Sequence, residues 1–262
     1  MTMEELLKEY LASLSEKTIL IRHDVDNIYL IYSGSIKGKV KKVLNYLYLT
    51  IPTNVSLRFT IPGYLENVKL ALDIERTYSA RATYFFRATT VPKGKLLSEI
   101  KSYGHEIAYH ADRDYSYSTF YSDLKLLERL TDTKIQGYTK HGFSPVRSGA
   151  PWDERRLIKF GIKARLKYFA QGEGHYEWEY PRRINSLWVF GHHITLKKVK
   201  LEEAKKYIES RDLPLILIHP EDLSIPGERE KFEYILTLGR VKPIIEVINE
   251  IEKHVLRDLE LT

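Results

Sequence analysis

The sequence predicts an α/β protein with a mainly parallel sheet, arranged as a single domain over residues 1–262. Short apolar or β-branched runs alternate along the chain with segments of helical periodicity. Strands that alternate with helices favour either a barrel or a doubly wound sheet. The length of 262 residues suits both, since α/β barrels of about 250 residues form one domain.

Each predicted strand is a run of apolar, aromatic or β-branched residues that ends in a polar cluster. The strands are predicted at 18–23, 81–86, 105–109, 137–141, 162–167, 186–190 and 214–218. The helices between and after them are predicted near 64–78, 95–102, 116–130, 153–160, 199–209, 228–237 and 242–258. Residues 27–63 fit this rhythm poorly, although "KVKKVLNYLYL" has helical character, so we predict an insertion after the first strand.

Composition excludes several classes of protein. The 41 basic and 35 acidic residues are well mixed, and the block Lys37–Lys42 (KGKVKK) is better explained as a solvated surface than as a nucleic-acid face. The absence of cysteine excludes disulfides and thiolate metal sites, and gives no sign of an oxidising compartment. The acidic, amphipathic N-terminus is unlike a signal peptide, and no apolar run approaches the roughly 18 residues of a membrane span. The cytoplasm is therefore the expected location.

Polar side chains collect at the carboxyl ends of the predicted strands. In parallel α/β folds this edge of the sheet is where active sites form. The pattern therefore favours an enzyme site over a passive scaffold. The residues concerned are His23, Asp24, Asp26, His110, Asp112, Asp114, His141, His192, His193 and His219.

Asp24 and Asp26 end the first strand, in the stretch "IRHDVDNIY". If the extended conformation persists, Arg22, Asp24 and Asp26 share one face, because alternate residues of a strand point the same way. Two carboxylates on one face repel and call for a metal ion, an arginine or a shared proton. The alternative is a strand-end turn in which the aspartates cap the next segment.

The third strand leads into a second candidate cluster. His110 and Asp114 are four residues apart, which in a helical turn places both side chains within reach of one ion. Asp112 competes with Asp114 if the segment stays extended.

Two later motifs carry single candidates. Arg147 lies in a Pro- and Gly-rich loop and could pair with a carboxylate from another strand end, lowering its pKa, although most arginines are merely exposed. His219 follows five apolar residues and precedes Pro220, where a histidine can act as a general acid or be a satisfied core residue.

Together these segments resemble the polysaccharide deacetylase family, the NodB-homology hydrolases of N-acetylated sugars and related amides. The resemblance covers nearly the whole chain. It rests on five motifs in the family's order, which are "RHDVD", "ARATYFFRA", "YGHEIAYH", "VRSGAPWDERRLIKFGIK" and "LILIHPED". It implies an irregular (β/α)₇ barrel, in agreement with seven predicted strands.

The resemblance also implies roles for individual residues. Asp24 would be the general base, and Asp26 and His110 would be metal ligands. Arg147 would keep the base ionised and oriented, and His219 would be the general acid for the leaving amine. The metal, most often zinc in this family, would polarise the acyl carbonyl and the attacking water.

Asp114 departs from the family pattern, which has a second histidine at this position. A site with two aspartates and one histidine still binds divalent ions, but it admits manganese, cobalt or iron besides zinc. We therefore expect a metal-dependent hydrolase that removes acetyl, or another acyl group, from an N-acylated sugar or sugar conjugate. The alternatives are a barrel that only binds a sugar or nucleotide sugar, and hydrolysis of another non-peptide C–N bond.

Overall fold

A computed structural model describes residues 3–28, 36–50, 63–141, 153–170, 178 and 180–260. The helices are α1 (Met3–Ala12), α2 (Ile36–Thr50), α3 (Glu66–Thr77), α4 (Gly94–Ser102), α5 (Tyr117–Thr131), α6 (Glu154–Lys163), α7 (Leu201–Ser210), α8 (Glu228–Leu236) and α9 (Ile244–Glu260). The strands are β1 (Thr18–Val25), β2 (Thr83–Phe86), β3 (Glu106–Ala111), β4 (Gly137–Lys140), β5 (Tyr168–Ala170), β6 (Arg182–Ile184), β7 (Leu187–Phe190), β8 (Ile194–Thr195), β9 (Leu215–Ile218) and β10 (Arg240–Lys242). Two 3₁₀ helices cover Leu196–Lys198 and Pro220–Ser224.

The strands of the described ranges form one sheet, in the order β6-β7-β5-β4-β3-β2-β1-β9-β8, with β10 paired to β1. Every strand pair is parallel except β6 with β7. The predicted α/β class with a mainly parallel sheet is therefore confirmed. Because the strands are parallel, the residues that follow β1, β3, β4 and β9 meet at one edge of the sheet.

The sheet is strongly curled. Arg22 of β1 donates from Nη1 to the backbone carbonyl of Ala170 in β5 at 2.7 Å, although three strands separate β1 from β5. In a flat sheet those two strands would lie about 19 Å apart, well beyond the reach of an arginine. The side chain therefore crosses the concave interior of the sheet.

Each face of the curled sheet has its own core. The convex face packs against α3 to α6, through residues such as Ile21, Tyr84 and Phe169. The concave face is filled by large side chains, among them Phe85 and Trp188, and α1 and α9 contribute to the same core. Alternation along β1 assigns Leu20 to the inner core and Ile19 to the outer one, so Arg22 and Asp24 also face inward.

The prediction of a strand at 162–167 is wrong. Helix α6 continues to Lys163, because Leu157, Ile158 and Gly161 keep a helical spacing of buried positions. Arg165 then adopts a left-handed backbone conformation with φ 58°, and the fifth strand begins at Tyr168. The apolar residues of 162–167 fit the spacing of a helix as well as that of a strand, and in the structure the helix continues to Lys163.

The predicted insertion at 27–63 lies mostly outside the described residues. Its helical stretch is observed as α2. Among the described residues, no helix is both long and apolar enough to cross a membrane.

Glu106 begins β3, at the end of the strand remote from the polar edge. Its carboxylate accepts hydrogen bonds from Thr83 Oγ1 (2.9 Å), Tyr168 OH (2.9 Å) and the backbone N–H of Ile245 (3.0 Å). Burial nevertheless raises the pKa of Glu106 to about 7. The carboxyl group therefore holds its proton in the folded protein at pH values where the unfolded chain has lost it.

This difference predicts that the stability contribution of Glu106 is present below pH 4.5 and is lost as the pH rises to 7. The loss amounts to about 3 kcal/mol, because each pKa unit corresponds to about 1.4 kcal/mol. Urea unfolding of the wild type and of Glu106→Gln between pH 4.5 and 7.5 measures it. The variant should lack this part of the pH dependence, and identical profiles would contradict the assignment.

Candidate metal centre and active site

Asp24 lies at the carboxyl end of β1 and is paired with the arginine two residues before it. Arg22 donates from Nε to Asp24 Oδ1 (2.8 Å) and from Nη2 to Oδ2 (2.5 Å), a bidentate geometry. Burial alone would raise the pKa of Asp24, but the charge and hydrogen bonds of Arg22 outweigh it and hold the pKa below its ordinary value. Asp24 is therefore an ionised carboxylate of fixed orientation at neutral pH.

Arg22 makes the contact that the resemblance assigned to Arg147. Arg147 itself lies outside the described residues, so its role stays a prediction. The sequence did contain a signal for Arg22, because two-residue alternation places it on the same face of β1 as Asp24. The carboxylates there were expected to need a metal, an arginine or a shared proton, and Asp24 has the arginine.

Asp26, His110 and His141 form a group that could hold a metal ion. One ligand atom from each lies within 4.8 Å of the other two. Asp26 Oδ1 is 2.9 Å from His110 Nε2 and 2.8 Å from His141 Nδ1, and the two ring nitrogens are 3.2 Å apart. Zinc bonds of about 2.0–2.2 Å from nitrogen and carboxylate oxygen set ligand atoms roughly 3–3.5 Å from one another. The donor set and its spacing therefore fit such an ion.

The surroundings of His110 prepare it for this role. Its Nδ1 lies 2.6 Å from Thr139 Oγ1, so a proton on Nδ1 is satisfied there and leaves the Nε2 lone pair facing Asp26. Burial lowers the pKa of His110 despite the nearby Asp24 charge. A neutral imidazole is the form that binds a metal.

The ionised form of Asp26 is also favoured. Burial alone would raise the pKa of Asp26, but the neighbouring His141 and His110 outweigh it and hold the pKa well below its ordinary value. A carboxylate is the form required of a metal ligand.

Asp114, the third ligand expected from sequence, lies elsewhere. Its buried carboxylate is 2.8 Å from Lys140 Nζ and 3.6 Å from Arg156 Nη2. The argument from four-residue spacing required a helical turn after His110, but β3 runs on to Ala111 and is not followed by a helix until Tyr117. His141 takes the remaining place in the group, from the end of β4.

Asp112, the competing candidate, is paired with an arginine. Arg87 donates to Asp112 Oδ2 from Nε (2.9 Å) and Nη2 (2.5 Å). The same guanidinium donates from Nη1 to the backbone carbonyl of Asp26 at 3.2 Å. The pair therefore fixes the main chain at the candidate ligand Asp26 rather than supplying a ligand.

His219 follows β9 and faces the group from the other side. Its Nε2 is 3.5 Å from Asp26 Oδ2, and its Nδ1 is 3.6 Å from Asp222 Oδ2. Burial alone would lower the pKa of His219, but Asp222 and Asp26 outweigh it and raise the pKa to about 9. His219 therefore carries a proton at neutral pH, as a general acid must.

Sequence reasoning missed Glu221. Glu221 is buried beside the site, where Asn27 Nδ2 donates to its Oε1 at 2.5 Å, and burial together with the Asp26 charge raises its pKa to about 7. The acid directly follows Pro220 in "LILIHPED", so its place at the strand end was available as a signal. His192 follows β7, as the sequence predicts, but it is not a member of the group, and its Nδ1 lies 3.1 Å from Tyr207 OH.

The placement of Asp114 predicts the effect of removing it. Asp114→Ala would leave Lys140 buried without this carboxylate, and breaking a buried ion pair costs about 3–5 kcal/mol of unfolding free energy. Glu233→Ala, which breaks a more exposed pair with Arg229, should cost under about 1 kcal/mol. Chemical denaturation measures both. A stable Asp114→Ala protein that has lost its metal would instead show that Asp114 is a ligand.

Comparison with known proteins identifies the fold. No protein-family model and no curated protein sequence matches the chain. Among solved structures, a protein from Mycobacterium smegmatis assigned as a polysaccharide deacetylase superposes with a TM-score of 0.62, at 12% identity over 92% of both chains. A variant of the peptidoglycan deacetylase PdaC from Bacillus subtilis superposes with a TM-score of 0.51, at 11% identity over 94% of this chain and 96% of that one.

The chain therefore has the (β/α)₇ fold of the polysaccharide deacetylases. The resemblance drawn from five short motifs is confirmed at the level of the fold. Identities of 11% and 12% extend the likeness no further, so activity and substrate rest on the site.

Proposed function

We propose that the protein is a metal-dependent hydrolase that removes acetyl, or another acyl group, from the nitrogen of a sugar or sugar conjugate. One observation carries the proposal. The potential ligands Asp26, His110 and His141 lie between an ionised carboxylate, Asp24, and a protonated imidazole, His219. Base, ligands and acid are the parts that hydrolysis of an amide requires.

The two flanking residues divide the proton transfers between them. Asp24 accepts a proton from water, whose oxygen then bonds to the acyl carbon. His219 donates its proton to the amide nitrogen as the C–N bond breaks, which releases a carboxylic acid and a free amine. Arg22 keeps Asp24 ionised and in place, and Asp222 keeps His219 protonated.

The group Asp26, His110 and His141 would hold a divalent ion. When bound, the ion would supply Lewis-acid polarisation of the acyl carbonyl and of the attacking water. Two histidines and one carboxylate make a donor set characteristic of catalytic zinc, so zinc is the first choice. Manganese, cobalt and iron are also compatible with imidazole and carboxylate ligands.

The fold and the motifs support the proposed substrate class. Both superposed structures bear the name of deacetylases, one of polysaccharides and one of peptidoglycan. The binding-only alternative rested on the loss of a ligand histidine at Asp114. Because His141 restores a second histidine, the described site favours the hydrolase. The cytoplasmic location stays a prediction.

The test is to load the purified protein with zinc, manganese or cobalt and to follow acetate release from a panel of N-acetylglucosamine oligomers. We expect release that a chelator stops and that added metal restores, with about one ion bound per chain. Metal bound without release, together with calorimetric affinity for an oligomer, would favour the binding-only alternative. No bound metal and no release from any substrate would overturn the proposal.

A further inference from the structure

Helix α2 displays an apolar stripe on its exposed surface. The side chains of Val40, Val43, Leu44 and Leu47 are 52%, 59%, 45% and 52% exposed. Their spacing of three, four and seven residues places them on one helical face. Such a concentration of exposed aliphatic side chains marks an interaction surface rather than scattered surface residues.

One flank of α2 is attached to the body of the protein. Tyr48 is buried, and its ring centroid lies 5.9 Å from that of Tyr64. Lys41 forms an ion pair with Glu66 at the start of α3. Because the helix is held on that side, its apolar stripe faces outward.

The sequence around this helix has one sign of charge. Residues 27–65 contain no aspartate or glutamate, and their cations are Lys37, Lys39, Lys41, Lys42 and Arg58. At 100° per residue, Lys39 lies beside the stripe on one side, and Lys41, which is paired with Glu66, lies on the other side. An apolar stripe flanked by lysines is the arrangement of helices that lie in a membrane interface.

We propose that α2 docks the protein on an anionic lipid bilayer, lying in the plane of the surface with its apolar stripe among the acyl chains. The positive charge of this segment favours an anionic lipid surface over the other possible partners. A second copy would bring two acid-free cationic segments together, whereas anionic headgroups complement them. A nucleic acid would complement the charge but would leave the aliphatic stripe in water.

The proposed surface is close to the candidate site. Helix α3, whose first residue Glu66 pairs with Lys41 of α2, donates from Asn67 Nδ2 to the backbone carbonyl of Asn27 at 2.9 Å, next to Asp26. Docking would therefore bring the bilayer to the polar edge of the sheet. The docking proposal does not depend on the proposed hydrolysis, and it can be tested without a substrate.

Vesicle flotation of the full chain tests the proposal, with vesicles of phosphatidylcholine alone and of phosphatidylcholine mixed with phosphatidylglycerol. The wild type should float with the anionic vesicles and be released by high salt. A Val43→Ser, Leu47→Ser double variant should bind them at least about tenfold more weakly, because affinity scales with buried apolar area. The matched control changes Leu130 and Tyr234, exposed residues of α5 and α8, to serine and should bind like the wild type.

A second variant makes the test robust to folding defects. Lys39→Glu leaves the stripe intact and should weaken binding to anionic vesicles about 30-fold, since each unit of charge near the surface contributes about 1 kcal/mol and the substitution changes the charge by two. Equal melting temperatures establish that the variants are folded. Absence of wild-type binding to anionic vesicles would overturn the proposal. So would unchanged binding by folded variants, or a dimer in ultracentrifugation that the double variant abolishes.

Discussion

His141→Ala is expected to lower metal affinity at least about 100-fold and to remove activity with it. The variant takes one of three ligand atoms from a group whose members lie within 4.8 Å of one another. Even residues that only support metal ligands contribute 10–100-fold to affinity, so a direct ligand should contribute more. Competition titration with a chromophoric chelator, combined with elemental analysis, measures the affinity and the stoichiometry.

His192→Ala is the matched control for this variant. His192 also follows a strand of the sheet, but its ring stacks on Tyr207, with centroids 5.2 Å apart. Its replacement should leave metal affinity unchanged. Retention of full affinity by His141→Ala would refute the assignment of His141 as a ligand. Asp114 would then again be the candidate for the third ligand.

Asp24→Asn is expected to reduce turnover by about 10²–10⁴-fold while the bound metal is retained. An amide cannot take up the proton that the carboxylate accepts, and general base catalysis contributes on that scale. Asp26, His110 and His141 are untouched, so the metal should still bind. Acetate release and elemental analysis on the same preparation separate the two effects.

Asp123 offers a control of the same chemistry outside the site. It is buried in α5 and accepts two hydrogen bonds from one guanidinium, that of Arg113, as Asp24 does from Arg22. Asp123→Asn should keep its turnover per folded molecule. Full activity of Asp24→Asn would remove Asp24 from the role of base.

The longer helices and strands could be predicted because each contains enough residues to show a helical or a two-residue period. Strands β1 and β9 and helices α3, α5 and α9 lie within a few residues of their predicted bounds. Strands β6, β8 and β10 were not predicted, since segments of two or three residues carry too few alternations to show a period. The error at 162–167 has the related cause that a short apolar run suits either structure.

The candidate site could be predicted where the backbone stays extended and less well where it turns. Alternation along β1 correctly set Arg22 and Asp24 on one face. The choice of Asp114 instead assumed a helical turn after β3, and the chain does not make one there. Only the pairing of β3 with β4 brings His141 to His110, and that pairing depends on contacts between residues distant in sequence.

The hydrogen bond from Arg22 to Ala170 connects the shape of the sheet to the chemistry of Asp24. Two nitrogens of the Arg22 guanidinium donate to the Asp24 carboxylate, and the third donates to the carbonyl of Ala170 in β5. The side chain therefore links β1 to β5 across the concave side of the sheet. The two bonds to Asp24 join opposite charges within β1, so strain that spreads β1 from β5 should break the single bond to the Ala170 carbonyl first. The carboxylate proposed as the base would therefore keep its counter-ion when the sheet widens, and only the link between β1 and β5 would be lost.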